Sequence, residues 1–401
     1  MRIEKGLMKG SFVLLIAFGL FNLFNLLFQV SMVRMLNVVD YGTLAALFSV
    51  SYMFGIFTES IQTVITKYTS TEANSGRIKN ILRKSLKKSF VLSILFFILY
   101  LIVSIPLTFI LDVDYLLLAF NGLFIFSAFL MPITKGVLQG RKMFFGLGAN
   151  LVLEALSKLL LSILLVYAGW RVYGALAGTF IAFVIAFILC FVQLRKIMKS
   201  KEGKSKTEGI YVYARPAFVI TTVILIFYTI DIFIAKIVFS PELAGKYAMA
   251  AVLSKSIFWG TLPVAKAMFP LSSDNHSKKR RSGNLFLNAF LLVMFLVIVA
   301  LFLFYFFPDQ IVYLFRGSVI PESAKILFLL GLAISLTSVA NLILLYKLSL
   351  GRVGGHRYLL GFLLLEVALF FYFSTSLWEF SISFVISSVV LLVGSIILLK
   401  E

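Results

Sequence analysis

Apolar stretches long enough to cross a lipid bilayer recur along the whole chain, separated by short polar segments. A hydrocarbon core about 30 Å thick requires about 20 residues of helix, and we count twelve stretches of that kind. They lie near 11–33, 43–66, 89–111, 116–134, 144–167, 174–192, 216–238, 246–269, 285–307, 323–345, 358–374 and 379–399. The sequence therefore predicts an all-α integral membrane protein with twelve transmembrane helices.

The composition excludes an ordinary soluble protein. Hydrophobic residues make up 61% of the 401 residues and charged residues only 13%, whereas soluble domains are about 45–50% apolar and about 25% charged. Cys190 is the one cysteine, so no disulfide can form within the chain. The loops between the stretches are short, so no soluble domain is inserted.

Basic residues give the orientation, because Lys and Arg are enriched in cytoplasmic loops. With the N-terminus inside, most of the 37 Lys and Arg residues fall in inner segments. The outer segments hold only Arg34, Arg171, Lys236, Lys246, Arg316 and Lys325. We therefore predict a multi-pass protein of the cell (cytoplasmic) membrane with both termini in the cytoplasm. The net charge of +20 is then explained by the basic residues of the cytoplasmic loops and does not indicate nucleic-acid binding.

The chain divides into two halves around its longest polar segment, residues 194–215. A shift of 202 residues superposes Gln29 on Asp231 and Arg34 on Lys236, while Glu154 and Glu366 fall at similar depth in their stretches. This predicts two parallel-duplicated six-helix lobes, 1–193 and 216–401, joined by a cytoplasmic linker at 194–215. Such repeats are typical of transporters, with the substrate path between the lobes.

Ionisable residues inside a membrane are candidates for function, because each costs at least about 2.5–3.5 kcal/mol to insert. Asp231 and Lys255 lie at similar depth in consecutive stretches and are expected to pair. Two interpretations remain open: a gate or substrate contact, or a static pair that neutralises itself.

Two further glutamates lie at membrane depth. Glu154 and Lys158 are spaced i,i+4 with the acid first, which favours a helical ion pair. Alternatively, Lys158 points into a cavity and attracts phosphate, with Glu154 as its resting partner. Glu366 has no partner in its own stretch. It is either a neutral acid, bonded to another helix of its lobe, or the site that couples transport to H⁺ or Na⁺.

Polar residues also mark the first two stretches. Asn22, Asn25 and Gln29 lie on one helical face, which is expected to face a cavity or a neighbouring helix rather than lipid. We favour the cavity, so the three residues are candidates for contact with the substrate. Glu59 either faces the central cavity or reaches the inner interface.

Two cations occupy matching outer positions in the two halves. Arg34 and Lys236 either surround an outer mouth or each neutralise a loop acid, Asp40 or Glu242.

Signals for enzymes and cofactors are missing from the sequence. The two histidines, His276 and His356, lie in loops, so no metal site is predicted. The chain has no nucleotide-binding phosphate loop. The segment GRVGG at 351–355 follows no strand and is not a dinucleotide site. We expect a protein without cofactors that is not an enzyme.

Several segments carry a resemblance to a known family. They are VRMLNVVDYGTLAALFSV (33–50), GVLQGRKMFFGLGANLVLEALSKLL (136–160), AGWRVYGALAGTFIA (168–182), YTIDIFIAKIVFSPELAGKYAMAAVLSK (228–255) and AMFPLSS (267–273). The chain resembles the polysaccharide flippases, a branch of the exporter superfamily that also contains multidrug and toxin extruders. It has twelve spans rather than the fourteen usual in the peptidoglycan-precursor branch, and it lacks that branch's arginine cluster in the first helix. It also has no match to the acidic cation site in the first helix of the drug extruders.

The resemblance implies a transporter that flips an undecaprenyl- or dolichyl-linked oligosaccharide from the inner to the outer leaflet by alternating access. Its partners would be the anionic diphosphate-linked glycan, membrane lipids and a coupling ion. A cation-coupled exporter of small molecules with the same fold is the alternative, although its lumen is expected to be dominated by acids. A membrane-embedded glycan polymerase or ligase is a third possibility, but the longest outer loop, about 308–322, is small for such chemistry.

Overall fold

The structure is a computed structural model that describes residues 2–203, 215–277, 283–351, 355 and 358–399. Helices joined by short turns form nearly all of these residues, and the described ranges contain no strand. The predicted all-α class is confirmed. Residues 204–214 of the predicted linker, and His356, lie outside the described residues.

The helices follow the apolar stretches closely. In chain order they are α1 (Arg2–Met35), α2 (Val38–Met53), α3 (Gly55–Thr71), α4 (Ser75–Leu111), α5 (Tyr115–Gly122), α6 (Phe124–Gly140), α7 (Phe144–Leu165), α8 (Arg171–Gln193), α9 (Arg195–Met198), α10 (Arg215–Val238), α11 (Pro241–Ser277), α12 (Gly283–Phe306), α13 (Pro308–Arg316), α14 (Pro321–Ser349), α15 (Tyr358–Tyr372) and α16 (Leu377–Leu399).

Ten helical segments of the described chain are long and apolar enough to span a membrane. One of them, Phe144–Gln193, contains two predicted spans, which are separated by a turn at Gly169. Gly169 has φ +92°, a backbone conformation that glycine adopts without steric cost. Helix α15 is a shorter apolar helix of 15 residues and corresponds to another predicted span. Each of the twelve predicted stretches therefore contains helix, and the chain is a multi-pass membrane protein.

The first compact unit comprises Met1–Leu36 and Phe54–Ala214. Within it α1 packs along α7, α7 beside α8, and α6 beside both α3 and α4. Small residues permit close crossings, as is usual between membrane helices. A Cβ atom on Gly148 of α7, for example, would lie 2.9 Å from the Cβ of Ala17 on α1.

The second compact unit comprises Asn37–Met53 and Arg215–Glu401. Its helix pairs repeat the neighbour order of the first unit, with α10 beside α15, α15 beside α16, and α14 beside both α11 and α12. This agreement is what the predicted duplication requires.

The structure differs from the predicted division of the chain in the placement of α2, which the prediction assigned to the first lobe, 1–193. Residues 37–53 group with the second unit, because α2 packs on α10 and α11. The crossing is close: a Cβ atom on Gly42 would lie 2.7 Å from the Cα of Gly245. Tyr41 is buried here with its ring 6.5 Å from that of Phe315. A turn at Phe54 separates α2 from α3, so the two halves of one predicted span pack in different units.

The described start of the predicted linker is docked on the first unit. The Lys79 ammonium donates to the Ser200 carbonyl at 3.0 Å, and the Gly203 amide donates to the Gly76 carbonyl at 3.2 Å. A Cβ atom on Gly76 would lie 2.1 Å from the carbonyl oxygen of Lys201, so this approach requires glycine. The linker thus begins as an ordered segment against the first turns of α4.

Candidate functional site

A buried ion pair lies in the second unit between α10 and α11. Lys255 Nζ donates to Asp231 Oδ1 at 2.7 Å, and the two residues are 5% and 0% exposed. The Tyr247 hydroxyl donates to the second oxygen, Asp231 Oδ2, at 3.2 Å. The predicted pairing of Asp231 with Lys255 is confirmed.

Helix periodicity explains how α11 reaches one carboxylate with two side chains. Tyr247 and Lys255 are eight residues apart, a little more than two turns, and therefore share a helical face. Lys255 Nζ also lies 5.0 Å from the centre of the Tyr228 ring, which α10 places three residues before Asp231. The ammonium is thus held by a carboxylate and by the negative face of an aromatic ring.

Glu366 on α15 is fully buried beside this pair. Neither of its carboxyl oxygens has a hydrogen-bond partner among the residues that the structure describes, while Asp231 and Lys255 are close enough to interact with it electrostatically. The described residues give no support to the interpretation in which Glu366 is hydrogen-bonded to another helix. An ionised carboxylate without partners is expensive to bury, so a neutral acid suits this environment. The interpretations as a neutral acid and as a coupling site remain.

The first unit contains a second charge cluster, between α6 and α7, in which Lys135 is buried and Glu154 is half-buried. Lys135 Nζ lies 2.5 Å from Glu154 Oε2, and Lys135 is 9% exposed. The structure therefore gives Glu154 an ion-pair partner, Lys135, in addition to its electrostatic interaction with the predicted Lys158. The prediction placed Lys135 in a loop, but α6 continues to Gly140 and keeps Lys135 inside the helix bundle.

Sequence reasoning missed Lys135, although a signal for it exists. Lys135 precedes Glu154 by 19 residues, and Lys347 precedes Glu366 by the same separation. Lys347 is also buried. If the halves are duplicated as predicted, the repeat includes a lysine 19 residues before Glu154 and before Glu366.

Lys158 contacts α1 as well as interacting with Glu154 on its own helix. Its Nζ donates to Asn25 Oδ1 at 3.1 Å and lies 4.0 Å above the centre of the Phe28 ring. The Asn25 amide donates in turn to the Phe21 carbonyl at 2.8 Å. Of the predicted polar stripe, Asn25 thus contacts a neighbouring helix, while Asn22 and Gln29 are half-buried on the same helix.

The remaining candidates are spread over both units. Glu59 on α3 is exposed. Arg34 is exposed in the first unit, whereas Lys236 is buried in the second. Glu242, one of the loop acids proposed as their partners, forms an ion pair with Lys246 at 2.9 Å.

A polar contact between α3 and α6 was also missed by sequence reasoning. Gln62 Nε2 donates to Gln139 Oε1 at 2.9 Å, and the Thr66 hydroxyl lies 3.3 Å from the same oxygen.

Within the described ranges no group of three or more His, Cys, Asp or Glu residues comes together as a metal site.

Comparison with known proteins relates this fold to a family. Residues 7–276 match the model of a family described as polysaccharide biosynthesis protein. No curated protein matches the chain.

Solved structures of membrane transporters share the fold at low sequence identity. A multidrug resistance MATE family transporter of the MOP superfamily, solved in an inward-facing conformation, is 14% identical with a TM-score of 0.75, over 95% of this chain and 94% of that one. A MOP superfamily transporter from Pyrococcus furiosus, described as having a binding pocket of reverse polarity that suggests a different function, is 16% identical with a TM-score of 0.66, over 99% and 96%. A MATE structure in complex with MaL6 is 17% identical with a TM-score of 0.66, over 98% and 94%.

The family match spans more than half of the chain, and the fold matches cover nearly all of it. The chain belongs to the polysaccharide biosynthesis protein family and has the fold of the MOP-superfamily transporters.

Proposed function

We propose that the protein flips a lipid-linked oligosaccharide precursor from the cytoplasmic to the outer leaflet of the cell membrane by alternating access. The observation that carries this proposal is the presence of lysines away from solvent within membrane helices of both units: Lys135 is buried and Lys158 is half-buried in the first, and Lys255 is buried in the second. Cations at this depth are costly to retain. An anionic diphosphate is a cargo that makes use of them, because charge-assisted hydrogen bonds to phosphate are strong.

The resting contacts of the lysines suit exchange with a phosphate. Lys158 donates to a neutral amide, lies over a ring and interacts electrostatically with Glu154. A phosphate oxygen is a stronger acceptor than the amide or the ring. Lys255 is held by Asp231, which also accepts from Tyr247. If the phosphate takes Lys255, Tyr247 remains to satisfy the carboxylate of Asp231.

Glu366 supplies a means of coupling in the same unit. With Glu366 protonated, the cluster of Asp231, Lys255 and Glu366 is neutral, and loss of the proton makes it anionic. An ionised Glu366 competes with Asp231 for Lys255, so the protonation state determines how firmly the lysine is held. We therefore propose the proton as the coupling ion.

A cation-coupled exporter of small molecules is the second candidate. The buried acid Glu366 favours it, as does the similarity in fold to a multidrug transporter. The transporter from Pyrococcus furiosus is described as having a pocket of reverse polarity and a different function. The same fold is thus compatible with more than one polarity of cargo, and the lysines of this chain favour an anion.

Inactivation of the gene in its own organism separates the two candidates. The flippase predicts that lipid-linked oligosaccharide accumulates in the membrane while the exported glycan falls, and that the wild-type gene restores export. Normal glycan export together with new sensitivity to cationic drugs would support the small-molecule exporter instead.

The proposed orientation has its own test. A cysteine replacing Ser205 should react with a membrane-impermeant reagent only from the cytoplasm. A cysteine replacing Ser318, which is exposed in the turn after α13, should react only from outside. The reverse pattern would contradict the cytoplasmic placement of both termini.

A further inference from the structure

A stripe of lysines leads into the apolar surface of α4. Lys84, Lys87 and Lys88 together with Val91 and Leu92 line a shallow cavity of about 400 Å³. Residues 84, 87, 88 and 91 are spaced i, i+3, i+4 and i+7, so they share one face of the helix. We call these five residues the α4 stripe.

The position of the stripe places it at the level of the lipid head groups. Helix α4 has 37 residues and is therefore about 55 Å long, nearly twice the thickness of a hydrocarbon core. Toward the C-terminal end of α4, the exposed residues Val91, Leu95 and Ile98 continue the same helical face as an apolar surface. The lysines therefore lie where the lipid-facing surface leaves the hydrocarbon.

The charges of Lys84 and Lys87 are not neutralised by the acids described near them. Lys84 and Lys87 have no ion pair or hydrogen bond within the described ranges. Glu202 is engaged by Asn80 at 2.7 Å and by Arg83 at 3.1 Å. Glu72 forms its ion pair with Arg77 at 3.6 Å. Two exposed ammonium groups thus remain beside an apolar surface.

We propose that the α4 stripe is a binding site for an anionic phospholipid of the surrounding bilayer. The lysine ammonium groups contact the lipid phosphate, and an acyl chain lies along Val91 and Leu92. A soluble anion would contact only the lysines, whereas a two-chain lipid also covers the apolar part of the cavity. The site is separate from the buried clusters and does not depend on the transported substrate.

The test compares phosphatidylglycerol with phosphatidylcholine binding to the purified full-length protein, measured by native mass spectrometry. The variant Lys84→Gln/Lys87→Gln should lose the preference for phosphatidylglycerol by about tenfold to thirtyfold, because each lysine near an anionic surface contributes about fivefold. Lys196→Gln/Lys199→Gln is the matched control: it removes the same charge from exposed positions on and just after α9 and should keep the preference. Lys84→Arg/Lys87→Arg keeps the charge and should also keep it.

Four results would overturn the proposal. An equal loss in the control variant would show that net charge alone sets the preference. Displacement of phosphatidylglycerol by millimolar inorganic phosphate would identify a site for soluble anions. Displacement by a lipid-linked oligosaccharide at equal concentration would identify a substrate-loading site. If the double variant is unstable, the wild type supplies the test. Its preference must weaken as ammonium acetate is raised from about 0.05 to about 0.5 M, because added salt shortens the Debye length. An unchanged preference would reject the proposal.

Discussion

The ion pair between Asp231 and Lys255 gives the sharpest test of whether a buried lysine acts in transport. Asp231→Asn leaves the ammonium of Lys255 without its carboxylate in a site where both residues are at most 5% exposed. Lys255→Gln leaves Asp231 with Tyr247 as its described donor. Breaking a buried pair from one side costs about 3–5 kcal/mol, and removing both charges together costs much less.

The expected stabilities therefore follow a double-mutant cycle. Each single variant should melt clearly below the wild type in detergent, whereas Asp231→Asn/Lys255→Gln should recover most of the loss. Lys255→Gln should be the milder single change, since Tyr247 still donates to Asp231. Thermal melting of the four purified proteins measures this directly.

Transport should not follow stability in the double variant. A lysine that binds the substrate phosphate is absent from Asp231→Asn/Lys255→Gln, so glycan export should stay lost although the protein inserts and folds normally. Complementation of a strain lacking the gene, with membrane levels matched, is the assay. Full export by the double variant would show that the pair is a static one, and Lys158 would then be the leading candidate for phosphate contact.

Three further predictions concern other parts of the chain. Gly245→Ala should destabilise the protein by about 1–3 kcal/mol relative to Gly260→Ala in thermal melting. A Cβ at position 245 would lie 2.2 Å from the carbonyl oxygen of Val38, whereas a Cβ at position 260 meets nothing within 4 Å, so equal melting of the two variants would contradict the close crossing of α2 and α11. Glu366→Gln should retain stability but lose the dependence of transport on a pH gradient, and unchanged gradient-driven transport would remove Glu366 from coupling. Hydrogen bonds from Asn80 and Arg83 lower the pKa of the Glu202 carboxyl, so these bonds stabilise the docked linker at neutral pH and are lost as pH falls through that lowered pKa. Amide hydrogen exchange in the linker, corrected for intrinsic rates, should therefore become faster at low pH, and an exchange rate independent of pH would contradict this.

The helices and one charge cluster were predictable because they follow from local rules. Span length and hydropathy identify membrane helices without knowledge of packing. The pairing of Asp231 with Lys255 follows from similar depth on consecutive helices, which are neighbours in most folds.

The other cluster was not predictable in the same way. The partner of Glu154 depends on how far α6 continues beyond its apolar stretch, since residues up to Gly140 remain helical and carry Lys135 into the bundle. The packing of α2 was missed because hydropathy shows a single span through 43–66. Only the three-dimensional crossing of Gly42 with Gly245 shows that the first half of this span packs on α11.

Direct measurement of flipping in proteoliposomes tests the central claim. Purified protein is reconstituted with a fluorescent lipid-linked oligosaccharide, and an impermeant glycan-modifying enzyme reports how much substrate changes leaflet. The account predicts translocation by the wild type that depends on a proton gradient and is abolished in Lys255→Gln. Failure to move the lipid-linked glycan, together with gradient-driven transport of a cationic small molecule by the same vesicles, would contradict it.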